Sequence, residues 1–308
     1  MGLRIGAEGD HLTPSEAFAA YEAVRHRLPP AAEGGAAEPV DTLDDLADRF
    51  DVFLLDAFGV LNIGEAAIPG VVDRIAGLQA MGKRCIVVTN AAGYPHAMLM
   101  ARYEKLGYSF APEDVISSRK TLLAALREAP SRHWGMMATK RFGTEDLEGL
   151  DVTFLGEDPA DYDAADAFLL LGSAEWTDAR QSLLEHALRA RPRPVWVGNP
   201  DIVAPREQGF SIEPGHFAHR LAEASGVAPE FFGKPFGNIY DLAFARLGAV
   251  DRSRILMVGD SLHTDVLGAH TAGIASALVT EHGFFAASDA KSALQAAGIS
   301  PDFLLARP

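Results

Sequence analysis

Asp56, Asp260, Asp265, Lys234 and the pair Thr89-Asn90 are the residues of this 308-residue chain whose types and settings suit chemistry. Most of them stand where an apolar run gives way to polar residues. Val52-Phe53-Leu54-Leu55 ends at Asp56, Cys85 to Val88 ends at Thr89-Asn90, and Ile255 to Val258 runs through Gly259 into Asp260. Lys234 lies between Gly233 and Pro235, residues that impose an unusual turn. Carboxylates offer hard oxygens to a divalent cation. A lysine supplies a point charge, and a threonine hydroxyl or a backbone amide donates hydrogen bonds to an anionic oxygen. A single aspartate at a strand end is ordinarily a turn or cap residue. Here several such ends carry reactive groups, and that convergence gives them weight.

The elements that must position these groups alternate between strand and helix. A helix around residues 70–81 separates the first two apolar runs, and another over 96–106 stops at Gly107. Pro194 to Gly198, ending at Asn199, and Ala275 to Val279 read as further strands. This alternation predicts a doubly wound parallel sheet in an α/β fold. In such sheets the ligand sits beyond the carboxyl ends of the strands, where Asp56, Thr89-Asn90, Asn199 and Asp260 fall.

Residues 120–195 carry signals of their own. Trp134 to Ala138, Val152 to Leu155 and Phe168 to Leu171 look like strands, and Leu183 to Leu188 looks helical. They predict an inserted, smaller α/β lid, with the core in 46–119 and 196–308. Residues 11–28 read as a helix opened by the capping box Thr13-Pro14-Ser15-Glu16, and Pro29 to Val40 as a linker. Residues 1–45 are therefore expected to form an arm that packs on the body or on a second subunit.

Four segments, in order, resemble the motifs of the haloacid dehalogenase (HAD) superfamily. They are Asp56-Ala57-Phe58-Gly59-Val60, Val88-Thr89-Asn90, Gly233-Lys234-Pro235 and Gly259-Asp260-Ser261-Leu262-His263-Thr264-Asp265. The match spans roughly residues 47–285. It is similar in detail to the class IIA, nitrophenylphosphatase-like branch through Ile68-Pro69-Gly70, Asn199-Pro200-Asp201 and the Gly-Lys-Pro triplet. The interval from Asp56 to Thr89 has room for one helix and one strand, whereas that from Thr89 to Lys234 can hold a lid, as this branch requires.

The resemblance implies a HAD-like, Rossmann-like core with a C2-type cap and a phosphatase chemistry. Asp56 would attack a phosphorylated small molecule and form an aspartyl phosphate. Mg²⁺ would be held by Asp56, the Phe58 backbone carbonyl, Asp260 and Asp265, neutralising the repulsion between two anions. Lys234 would pair with Asp56 and the phosphate. Thr89 and Asn90 would hold the phosphoryl oxygens, and Gly59 would let the backbone approach. Trp176, beside Glu175 after a lid strand, stands where the branch places specificity residues, and a homodimer through the lid is expected.

Phe58 departs from the pattern. The position two after the nucleophile is usually aspartate, which protonates the leaving group and then activates water. Phenylalanine has no proton to give, and such help is worth ~10²–10⁴-fold. The alternative is a catalytically weak protein that binds metal and phosphate. Haloacid dehalogenases and phosphonatases also lack that aspartate, but their lid follows the nucleophile closely, which the short first interval excludes. A nicotinamide-dependent oxidoreductase is disfavoured because no Gly-x-Gly-x-x-Gly follows the first strand.

Composition sets the outer bounds. Apolar residues make up 48%, enough for a substantial core, and the net charge of −15 disfavours nucleic acid as a partner. The single cysteine, Cys85, excludes an intrachain disulfide. No apolar segment approaches the ~20 residues of a membrane span, so a cytoplasmic protein is expected.

Overall fold

The computed structural model describes residues 12–142, 144–206, 209–286 and 288–308. Its larger sheet has seven parallel strands. Their order is Glu38–Val40, Phe303–Leu305, Ala275–Val279, Ile255–Gly259, Val52–Leu55, Arg84–Thr89 and Val115–Ser117. Side chains alternate across a strand. Phe53 and Leu55 accordingly join one apolar cluster, with Ile75, Leu78, Leu99 and Tyr103 of the helices Val71–Ala80 and His96–Lys105. Val52 and Leu54 join another, with Ile239, Tyr240 and Ala243 of the helix Gly237–Leu247. Both faces are covered, which is why these strands read as unbroken apolar runs.

The smaller sheet, also parallel, runs Glu230–Phe231, Val195–Val197, Ala167–Leu170, His133–Met137, Asp151–Phe154. The helices Asp178–Ala190 and Pro214–Ser225 pack Leu184, Leu188, Phe217 and Leu221 against one face. The helix Ser118–Glu128, which follows a core strand, packs Leu122 and Leu126 against the other face. It ties the two layers together. A short antiparallel hairpin, Val203–Pro205 with Phe210–Ile212, projects between the layers.

Three expectations need correction. The run around Val195–Val197 pairs with Ala167–Leu170 in the smaller sheet, not in the core. An apolar run specifies burial but not the sheet that buries it, and here Val195 and Val197 face the lid helices. By strand pairing the smaller sheet extends to Phe231. Within the stretch read as a linker, Glu38–Val40 is the edge strand of the core. Pro39 fits there because an edge strand can spare one amide. The N-terminal helix is Pro14–Ala23, followed by a tighter turn at Arg25–Arg27, with the expected capping box at Thr13. It packs Ala17 and Tyr21 against Val266, Leu267 and Phe284 of the core. No helix among the described residues is long and apolar enough to cross a membrane.

Phe168 is fully buried in the smaller sheet. Phe168→Ala is expected to cost ~3–5 kcal/mol of stability, read as a lowered guanidinium midpoint. A loss below ~1 kcal/mol would contradict the packing described.

Candidate active site

Parallel pairing sets the strand ends side by side. Asp56 is the first residue beyond Val52–Leu55, and its amide donates to the Val258 carbonyl at 2.9 Å. The neighbouring strand leads through Gly259 to Asp260. The chain then makes a wide turn over Leu262–Val266, in which the Val266 amide reaches the Ser261 carbonyl at 3.2 Å. Such five-residue turns are frequent at functional sites. This one returns Asp265 beneath the strand end. One carboxylate oxygen from each of Asp56, Asp260 and Asp265 lies within 4.8 Å of the others.

Lys234 closes the cluster. Its Nζ donates to Asp56 Oδ1 and to Asp265 Oδ1, each at 2.7 Å, and the residue is only 1% exposed. Burial alone would lower the ammonium pKa, but Asp265 and Asp56 outweigh it, so the pKa is raised and the lysine stays charged. Asp265 commits both oxygens, Oδ1 to Lys234 and Oδ2 to the Ser261 amide at 3.1 Å. Asp260 Oδ2 accepts from the Phe284 amide at 2.8 Å. Burial pushes Asp56 up to about 6 against the pull of Lys234, with Asp265 adding repulsion. Burial, then the charges of Asp56 and Asp265, push Asp260 well above the usual carboxylate range.

Two glycines make room for Asp260. A Cβ at Gly59 would come within 2.3 Å of its Oδ2, and one at Gly283 within 2.0 Å. Both have positive φ, 78° and 67°, which a side chain would strain.

Thr89 is buried, and its Oγ1 accepts from the Ala91 amide at 3.3 Å. The Asn90 side chain works as a clamp. Its Oδ1 accepts from the Lys234 amide, and its Nδ2 donates to the Lys234 carbonyl and to Asp201 Oδ1, all at 2.8 Å. Phe58 forms a β-bridge with Asn62 and lies half-buried between the guanidinium groups of Arg102 and Arg206, 5.0 and 5.4 Å from its ring centre. Trp176 is set apart from this group. It packs against the lid core, and its Nε1 donates to Gln181 at 2.9 Å.

Several of these residues line a solvent-open cleft between the two sheets. Asp56, Phe58, Asn90, Asp201, Arg206 and Tyr21 are among its lining, whereas Trp176 and Glu175 are not. Tyr21, Asp201 and Arg206 were not expected there. Tyr21 falls within the helix expected over residues 11–28, and a buried tyrosine hydroxyl ordinarily seeks a partner. It accepts from the Ile202 amide at 3.2 Å, and its ring stacks on His263 at 4.9 Å. His263 in turn bonds Glu22 at 2.6 Å. The Asn199-Pro200-Asp201 triplet was legible as a mark of the class IIA branch, without a role for Asp201. Arg206 bonds Ser211 at 2.8 Å and Glu213 at 3.1 Å, and nothing in its sequence setting marked it out.

Two family models match the chain. One, described as haloacid dehalogenase-like hydrolase, covers residues 53–153, and one described as HAD-hydrolase-like covers 231–306. This chain belongs to the haloacid dehalogenase-like hydrolases. The two matched stretches hold Asp56, Thr89, Lys234, Asp260 and Asp265. This hydrolase is 30% identical over 241 residues to the D-glycerol 3-phosphate phosphatase of Mycobacterium tuberculosis, covering 77% of its own length and 65% of that relative's. Among solved structures, it superimposes with a TM-score of 0.77 on a possible HAD-superfamily sugar phosphatase of Cytophaga hutchinsonii. That pair is 24% identical and covers 88% of this chain and 98% of the other. The glycerol phosphate phosphatase of M. tuberculosis, crystallised with magnesium, gives 0.62 at 26% identity, covering 77% and 69%.

The donor set of this HAD-like hydrolase fits a hard divalent cation. It offers clustered carboxylate oxygens, a backbone trimmed by glycine around Asp260, and carboxylates whose mutual repulsion a cation would relieve. Lys234→Met would leave Asp56 and Asp265 facing each other without their cation. Removing one partner of such a buried pair costs ~3–5 kcal/mol, to be read as a lowered midpoint of chemical unfolding in EDTA. A variant as stable as the parent would show that Lys234 does not hold this cluster together.

Proposed function

We propose that this chain is a Mg²⁺-dependent phosphatase that acts on a phosphorylated small molecule through an aspartyl phosphate on Asp56. One observation carries the reading. The Lys234 ammonium is shared at 2.7 Å between Asp56 and Asp265, and Asp56 itself lines the cleft between the two sheets. A protein that only bound phosphate would have no need of a carboxylate aimed into the site.

In this reading Lys234 keeps Asp56 ionised and offsets charge on the incoming phosphate. Asp265 holds Lys234 and the Ser261 turn in place and would stand beside the metal as one of its carboxylates. Asp56, Asp260 and the Phe58 carbonyl would hold Mg²⁺, whose contribution is to neutralise charge on the phosphoryl oxygens and the attacking carboxylate. Thr89 and the backbone amide of Asn90 donate to the phosphoryl oxygens, with Gly59 giving them access. The Asn90 side chain positions the lysine peptide. The smaller sheet serves as the lid that excludes water. Trp176 is assigned to lid packing and not to substrate contact.

The relatives named for glycerol phosphate and sugar phosphatase activity support a small polyol or sugar phosphate as substrate. The charge of −15 supports a partner other than nucleic acid. A cytoplasmic location and a homodimer formed through the lid complete the proposal.

Phe58 favours a second reading, a protein that captures metal and phosphate but turns over slowly. Steady-state hydrolysis of p-nitrophenyl phosphate separates the two. Turnover that needs Mg²⁺, stops in EDTA and is lost in Asp56→Asn is the expected result. Activity equal in the parent and Asp56→Asn would sink the phosphatase reading, and Mg²⁺ and phosphate binding without turnover would establish the second.

A further inference from the structure

A carboxylate that displaces an alcohol from phosphorus leaves an alkoxide, and an alkoxide needs a proton. Phe58 cannot supply it. Four carboxyl groups line the cleft: Asp56, Asp201, Glu213 and Asp260. Asp56 is tied to Lys234, and Asp260 belongs to the candidate metal cluster. Glu213 is bound to Arg206 at 3.1 Å, accepts from Asn199 at 3.2 Å and lies within hydrogen-bond reach of Ser211. Asp201 remains, and among the described residues it has no salt-bridge partner.

Asp201 is held firmly in the cleft wall. Its amide donates to Asn199 Oδ1 at 3.0 Å, and its carbonyl accepts from the Gly215 amide at 2.9 Å. A Cβ on Gly215 would collide with that carbonyl at 2.5 Å, so the glycine keeps the contact close. Oδ1 accepts from Asn90 Nδ2, and Asn90 also clamps the peptide of Lys234. One side chain therefore links Asp201 to the loop that carries the lysine on Asp56.

Resting on the phosphatase reading, we propose that Asp201 is the catalytic acid and base of this site, taking the part that Phe58 cannot play. In the first step a bond forms between an Asp56 oxygen and phosphorus, and the ester P–O bond breaks. The leaving oxygen takes the proton of the Asp201 carboxyl and departs as the alcohol. In the second step water attacks phosphorus and gives its proton to the Asp201 carboxylate. The Asp56–phosphorus bond breaks, inorganic phosphate leaves, and both aspartates return to their starting states.

The surroundings suit a carboxyl that holds its proton at neutral pH. Desolvation pushes Asp201 up to about 8. Lys234 and the Asn90 amide oppose this, and the negative charges of Asp56 and Glu213 add to it. Tyr21, from the N-terminal helix, faces the same region with its hydroxyl on the Ile202 amide. The acid would thus be loaded below pH 8 and empty above it.

The test compares phenyl phosphate with p-nitrophenyl phosphate in rapid-mixing, first-turnover assays. The two differ little in shape but greatly in the basicity of the leaving oxygen. Asp201→Asn is expected to lower the phenyl-to-nitrophenyl rate ratio by ~10²-fold, the lower end of general-acid assistance. It should also remove a basic limb near pH 8 from the parent's phenyl phosphate profile. Adding Phe58→Asp to Asp201→Asn should restore the ratio, which a merely structural role for Asp201 would not allow. An unchanged ratio in an Asp201→Asn protein that still turns over would overturn the assignment and leave the phosphatase reading standing. Release of neither phenol by the parent would remove both. Should Asp201→Asn fail to fold, infrared titration of the parent with Mg²⁺ present decides. A protonated-carboxyl band that bleaches near pH 8 supports the assignment, and its absence overturns it.

Discussion

The shared ammonium of Lys234 is the interaction on which the rest of the site depends. Three carboxylates lie within one small volume beneath the strand ends, and two of them meet the same Nζ at 2.7 Å. Bringing those charges together without a cation would cost several kcal/mol for each buried ion. The lysine is in turn fixed through its own peptide, because the Asn90 side chain grips both the amide and the carbonyl of Lys234. The strand ending at Thr89-Asn90 therefore positions the charge that the strand ending at Asp56 requires. Register between neighbouring parallel strands becomes charge geometry.

The same logic explains the two layers. A carboxylate in the role proposed for Asp56 must be dry enough to be reactive yet open to a ligand. The core sheet supplies the dry floor and the smaller sheet the roof, with the helix Ser118–Glu128 packed across both. The N-terminal helix lies outside the family match but reaches the cleft through Tyr21. Its hydroxyl meets the Ile202 amide next to Asp201, and its ring stacks on His263 in the turn after Asp260. It thus touches the segment that carries Asp201 and the turn that follows Asp260.

Much of this was legible in the sequence because burial on two faces writes a continuous apolar run, and the first polar residue after such a run marks a strand end. Asp56, Thr89 and Asp260 were found in this way, and Lys234 through its flanking glycine and proline. What was illegible has physical reasons. The run at Val195–Val197 does not say which sheet buries it. A three-residue edge strand containing Pro39 looks like a linker. Trp176 resembled a specificity residue, yet its indole is satisfied by Gln181, five positions along the chain. Asp201 and Arg206 meet the cleft only through long-range contacts, to Asn90 and to Phe58, that no local pattern encodes.

The central claim is that Asp56 becomes covalently phosphorylated. Acid-quenched protein, mixed with a phosphate ester and Mg²⁺ and examined by peptide mass spectrometry, tests it most directly. One phosphoryl group on the peptide that contains Asp56, absent in Asp56→Asn and accumulating when hydrolysis of the intermediate is slow, is the result this account predicts. Turnover of the ester with no phosphoryl group ever trapped on that peptide, or with the group on another residue, would contradict it.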